Sequence, residues 1–139
     1  MIIRYLSIIL TTTALVGCDG YILVKGQVYE WNNPPSNASA IIIVDKEAPL
    51  EYLDITPLDS TIVTLFHGGD YSKTPLAENT IWQTSRNTDR EGSFEIGDVT
   101  APHEFTAIIR AQKDGYQKVE TKFLHDKREH KAIILLIKK

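Results

Sequence analysis

Phe105-Thr106-Ala107-Ile108-Ile109-Arg110-Ala111-Gln112, the turn signal Asp114-Gly115 and then Val119-Glu120-Thr121-Lys122-Phe123 form the stretch that decides the fold. Phe105, Ala107, Ile109 and Ala111 fall on one side of an extended chain, and Thr106, Ile108, Arg110 and Gln112 on the other. Period-two alternation of this kind marks a half-buried strand. Beyond the Asp-Gly turn, Val119, Thr121 and Phe123 face the same core against Lys118, Glu120 and Lys122, which leaves one wet face.

The same pattern extends in both directions. Ile22, Val24, Gly26 and Val28 oppose Leu23, Lys25, Gln27 and Tyr29, which predicts a first strand over Tyr21 to Tyr29. Ser60 to Phe66 reads as a strand ended by His67-Gly68-Gly69-Asp70, where paired glycines permit a turn. After a polar loop around Ser72 to Asn79, Thr80 to Ser85 carries Trp82. The turn Asn87 to Gly92 then leads to Ser93 to Ile96 with Phe94 and Ile96 inward, and these two segments are expected to pair as a hairpin. Ala132 to Ile137 is an apolar run suited to a strand buried on both sides, preceded by a charged loop from His125 to Lys131. Little helical periodicity is present. The expected fold is therefore all-β, a seven-strand antiparallel sandwich of the immunoglobulin-like kind.

One segment interrupts it. Asn32-Asn33-Pro34-Pro35-Ser36-Asn37 breaks the first strand, because prolines remove ladder donors and asparagines favour turns. Ala40 to Val44 follows as a short β-branched run, expected as an extra edge strand. Pro49 to Asp54 is expected as a single helical turn with Leu50 and Leu53 on one side.

The amino terminus reads as an address. Arg4 leads an apolar run that closes on Leu15-Val16-Gly17-Cys18, directly before Asp19, and Cys18 is the only cysteine of the 139 residues. The run is shorter than the roughly 20 apolar residues that span a bilayer. It resembles the lipobox of bacterial lipoproteins. That resemblance implies a diacylglycerol on the Cys18 thiol, cleavage before Cys18 and acylation of the new amino terminus. Residues 1–17 are then a signal peptide, 18–20 a lipidated tether and 21–139 the sandwich domain. In enterobacteria-like lipoproteins an aspartate at the Asp19 position resembles a signal for retention at the inner membrane; without it the outer membrane is expected.

Removing 17 of 139 residues leaves 122, enough for one domain with a sizeable core. Arg4 is the single charged residue removed, so the whole chain's 15 basic and 18 acidic side chains become 14 and 18, a net of −4. Nothing in that balance suggests a nucleic-acid binder, which needs a basic patch or stripe, and no nucleic-acid partner is expected. With Cys18 lipidated no thiol remains for a disulfide or a thiolate metal site, and no cofactor is expected.

Four stretches carry a family likeness: Val24-Lys25-Gly26-Gln27-Val28, Pro57 through Leu65, Thr88-Asp89-Arg90-Glu91-Gly92-Ser93-Phe94-Glu95-Ile96, and Ala111-Gln112-Lys113-Asp114-Gly115-Tyr116. They resemble the carboxypeptidase regulatory-like domain, which implies a transthyretin-like, seven-strand sandwich over roughly residues 21 to 137. The motifs are structural rather than chemical. The stretch from about Asn32 to Ile55 departs from the family and reads as an insertion after the first strand.

Chemistry is sparse. Asn87, Asp89, Glu91, Gly92 and Asp98 fall at positions one, three, five, six and twelve of an EF-hand-like loop, but the residue types are poor and strands rather than helices flank them. His125 and His130 lie with Asp126 and Glu129, yet Lys127, Arg128 and Lys131 oppose a cation and no third ligand follows from the spacing, so a solvated charged turn and no metal are expected. His67 and His103 stand alone and are expected at the surface or rim. The transthyretin-like hydrolases that open a ureide ring finish in Tyr-Arg-Gly-Ser, whereas this chain ends Leu136-Ile137-Lys138-Lys139, and no nucleophile elbow is present. No catalytic residue is assigned.

Trp31, Trp82, Tyr71 and Tyr116 are available as a binding surface. Trp31, Ile41, Ile43 and Trp82 are the candidate binding residues, Ile41 and Ile43 because an exposed edge strand can pair with a partner. The expectation is a non-enzymatic, membrane-anchored envelope lipoprotein that binds another envelope protein. A carbohydrate- or peptidoglycan-binding module and a small hydrolase are the alternatives.

Overall fold

A computed structural model describes residues 20–69 and 79–139. The elements are β1 (Tyr21–Trp31), β2 (Ile41–Val44), a 3₁₀ turn (Leu50–Tyr52), β3 (Ile55–Pro57), β4 (Ile62–His67), β5 (Trp82–Asn87), β6 (Ser93–Val99), β7 (Phe105–Gln112), β8 (Val119–His125) and β9 (Glu129–Leu136). They form the all-β sandwich of two sheets that the alternation predicts.

One sheet has the order β2-β9-β1, and the far edge of β1 is shared by β6 along Tyr21 to Gln27 and by β3 along Tyr29 to Trp31. The other has the order β5-β4-β7-β8. Their edges align, with β2 beside β8 and β6 beside β5. Between them lies a core that the period-two faces supply: Ile22, Val24 and Val28 from β1, Val63 and Leu65 from β4, Phe94 and Ile96 from β6, Ala107, Ile109 and Ala111 from β7, and Ala132, Ile134 and Leu136 from β9. The apolar run of β9 is explained by its position between β2 and β1.

The seven expected strands correspond to β1 and β4 to β9. The segment after the first strand adds β2 and β3, and the expected helical turn is the 3₁₀ turn at Leu50–Tyr52. β2 is an edge strand as expected, antiparallel to β9 with Ile41 opposite Leu135 and Ile43 opposite Ile133. Its Ile42 enters the core.

Three expectations need correction. β1 pairs β9 in parallel, with Leu23 opposite Glu129 and Glu30 opposite Leu136, whereas every other pairing of the named strands is antiparallel. β5 and β6 do not form a hairpin: β5 pairs β4 and β6 pairs β1, so the turn between them carries the chain from one sheet to the other. The cause is a buried corner. Thr88 Oγ1 donates to the Leu58 carbonyl at 2.8 Å and accepts from the Thr61 amide at 3.0 Å, while Gly92 adopts φ +74° with its amide bonded back to Asp89. The charged loop from His125 to Lys131 also contracts to three residues, because β8 runs through His125 and β9 begins at Glu129.

Candidate functional site: the histidine end of the sandwich

The inward faces do not stop being inward where their apolar residues run out. One step of two beyond Val63 and Leu65 lies His67; beyond Phe94 and Ile96 lies Asp98; beyond Val119, Thr121 and Phe123 lies His125; and one step before Ala132 lies His130. The core is closed at this end by a polar layer. All four histidines of the chain gather here: the Phe105 ring centroid lies 6.0 Å from His67, 6.2 Å from His103 and 4.8 Å from His125, and His130 lies 5.2 Å from His125.

Two carboxylate–imidazole units fill the layer. His67, 3% exposed, meets Asp98 Oδ2 through Nε2 at 2.7 Å and stacks on Trp82 at 5.5 Å. His130 has no exposed surface, and its Nδ1 lies 2.6 Å from Asp45 Oδ2 while its Nε2 lies 2.9 Å from His125 Nδ1. Asp45 follows β2 in the left-handed region at φ 57°, unusual for a residue with a side chain. The Lys131 amide donates to Asp45 Oδ1 at 2.9 Å, and Lys127 Nζ stands 3.5 Å from Oδ2. Partial burial works against the Asp45 charge. The bonds from His130 and the Lys131 amide, with the charges of His130 and Lys127, outweigh it and hold the carboxyl below its ordinary range. His125 is driven the other way for a base: burial, then the charge of His130, lower its proton affinity, His67 adds to this, and Asp126 opposes it.

The charged residues Asp126, Lys127, Arg128, Glu129 and Lys131 are exposed as expected, but His125 and His130 leave that turn for a buried relay, and His67 is not a rim residue. Burying polar groups is tolerable because each ring has a partner. His125 also borders a pocket of about 240 Å³ with Tyr21, His103, Glu104, Asp126 and Arg128. Among the described residues no three His, Cys, Asp or Glu side chains are grouped to hold a metal ion. The imidazole bonds described at this end join His67 to Asp98, His130 to Asp45 and His125 to His130. In the calcium-like stretch, Asp89 Oδ1 accepts the Glu91 and Ser93 amides and Asp98 is turned to His67, so those residues do not surround one point.

The sequence-chosen binding residues are dispersed. Trp82 is 55% exposed at the histidine end. Trp31 is half-buried at the opposite end of β1, opposite Ile55, which at about 3.3 Å per residue sets the two indoles some 30 Å apart. Ile41, 43% exposed, and the half-buried Ile43 lie on β2 beside a groove of about 670 Å³ shared with β8, where Leu124 is also exposed. Tyr116 donates its hydroxyl to Glu30, and burial followed by that bond pushes it up to about 12. Cys18 and Tyr71 lie outside the described residues. Of the residues in the polar layer, Asp45 is passed over by the sequence reading, which weighs His125 and His130 only as a metal set, His67 only as a rim histidine and Asp98 only as a calcium-loop position. Carrying each alternation one step further would have found all of them except Asp45.

The fold and this end layer define an all-β, two-sheet sandwich with an internal histidine network. No family model matches the sequence, and no curated protein is similar to it. Solved structures that resemble it include 3-chlorocatechol 1,2-dioxygenase from Rhodococcus opacus 1CP, at 11% identity and TM-score 0.49 over 87% of this chain and 61% of that one. A double mutant of the shaft pilin SpaA from Lactobacillus rhamnosus GG resembles it at 9% identity and TM-score 0.47, over 86% of this chain and 51% of the pilin. A single mutant of the same pilin does so at 11% and 0.44, with the same coverage. The chain spans between half and three fifths of the length of these proteins, and at such identities and scores they bear on neither its activity nor its partners.

Proposed function

We propose that this chain is a lipid-anchored β-sandwich of the bacterial cell envelope that binds a protein partner beside the membrane and performs no catalysis. The observation that carries this reading is Leu15-Val16-Gly17-Cys18, placed so that only Asp19 and Gly20 separate the cysteine from the first strand. Two or more acyl chains on Cys18 anchor stably where one is marginal. At about 3.5 Å per extended residue the tether holds Tyr21 within roughly 10 Å of the lipid, and the histidine end, where β1 begins, faces it. Tethering raises the effective concentration of the domain for anything else on that surface. By the Asp19 rule that surface is the periplasmic face of the inner membrane; otherwise it is the outer membrane.

The outer edge of β2 supports a protein partner. The Asp45 amide bonds the Lys131 carbonyl, so alternation turns the backbone groups of Ile42 and Val44 away from β9, where an added strand can reach them. The separation of Trp31 from Trp82 speaks against a single aromatic platform for sugars, and the relay's bonds run between imidazoles and carboxylates rather than to a hydroxyl or thiol. Metabolic labelling with palmitate tests the anchor. The native chain is expected to take up label, and Cys18→Ala is expected to take up none and to accumulate as precursor. Label in the variant, or none in the native chain, contradicts the reading.

A further inference from the structure

We propose that the Asp45–His130–His125 chain is a pH-sensitive latch: protonation of His125 in mildly acid conditions breaks its contact with His130 and releases the β8–β9 turn and the end of β2 from the sandwich. The proposal concerns the fold itself and holds whatever partner the domain has.

One assignment of the ring protons leaves every facing atom satisfied. Asp45 Oδ2, at 2.6 Å, accepts the Nδ1 proton of His130; His130 Nε2 is then a lone pair and accepts the Nδ1 proton of His125 at 2.9 Å. A first added proton is absorbed within the chain. Whichever ring takes it, the other can keep a lone pair at the contact, which survives with Asp45 as counter-charge. A second proton, on His125, sets N–H against N–H between two charged rings that are 7% and 0% exposed. Nothing at that contact accepts it.

The surrounding groups offer little relief. On β4 and β6, His67 and Asp98 are committed to each other. Glu129 of β9 is paired with Lys25 of β1 at 3.3 Å, and Lys127 is drawn to Asp45. His103, Glu104, Tyr21 and Arg128 stand at the pocket mouth, and β7 presents the Phe105 ring. Asp126, exposed in the turn, is the one carboxylate that draws a proton towards His125, and burial with the charges of His130 and His67 outweighs it.

Linkage gives the direction. Burial and the charge of His130 lower the proton affinity of His125 in the latched form, whereas in the opened form it returns to its ordinary 6.5. The latch is closed above that value and weakens as pH falls below it, because the opened form binds the extra proton. Opening frees Asp45 from His130, which with the Lys131 amide holds it at φ 57°, and the end of the four-residue strand β2 loses its anchor. Local openings of this kind are read by amide exchange.

The test compares amide exchange of the full chain in detergent micelles at about pH 7.5 and about pH 5, corrected for the intrinsic rate. Protection at residues 126–131 and 41–45 is expected to fall at least about tenfold at the lower pH, with Ile22 to Gln27 unchanged. His125→Gln keeps a donor towards His130 and does not titrate, so its protection is expected to be the same at both values. Equal protection of the native chain at both pH values, or an unchanged loss in His125→Gln, overturns the proposal. Should that variant fail to fold, the imidazole titration of native His125 by NMR decides: its midpoint must coincide with opening of the turn. An opened turn with neutral His125, or charged His125 in a closed turn, overturns it equally.

Discussion

His130 occupies a position that the alternation of β9 would give to an aliphatic side chain, two residues before Ala132 and with no exposed surface. His130→Leu fits the apolar pattern but strips the buried His125 Nδ1 of its partner and removes one bond from Asp45. A buried polar group left unsatisfied costs about 1–3 kcal/mol, so chemical denaturation should show a loss of that size despite the more hydrophobic residue. Equal or greater stability would mean that the relay contributes nothing to the fold. Gly92 is limited by backbone rather than chemistry. At φ +74° a Cβ would lie 2.3 Å from the Val28 carbonyl oxygen, and Gly92→Ala is expected to cost about 1–3 kcal/mol in the same measurement.

Among the elements, the crossing between β5 and β6 shows what a local reading misses. Asn87 to Gly92 has the composition of a hairpin turn, and nothing in those residues says that Thr88 is buried against Leu58 and Thr61 from a different part of the chain. Thr88→Val keeps the volume and leaves the fully buried Thr61 amide without its acceptor. A destabilisation of about 1–3 kcal/mol by thermal melting is expected, and none if the corner is held by packing alone. The strands themselves were legible because a half-buried strand writes its burial into alternate residues, as β1, β6 and β7 do. Edge β2 was legible from its short β-branched run. The parallel β1–β9 pairing was not, since pairing direction depends on residues a hundred positions apart. The histidine layer was half legible. His67, Asp98, His125 and His130 share parity with the apolar faces, but charged neighbours such as Lys127 and Arg128 read as solvated, and Asp45 joins only through the path of the chain after β2.

For the whole molecule, the relay makes stability depend on pH in two windows. Stability from neutral His125 is complete above the ordinary 6.5 and declines as pH falls below it. Asp45, held below its ordinary 3.8, contributes stability above that value that is lost as pH falls through its lower folded value. Denaturant midpoints measured across acid pH should therefore fall in two steps. Asp45→Asn should remove the lower one, and a single decline untouched by that change would dissociate Asp45 from acid stability. The larger claim is that a domain held at a membrane meets a protein through the open edge of β2. A photo-cross-linking side chain at Ile41 in the membrane-bound chain tests it most directly, with the same group at the exposed turn residue Arg90 as reference. The account predicts one discrete adduct with a second envelope protein from Ile41 and none from Arg90; no adduct from Ile41, or the same adducts from both positions, would contradict it.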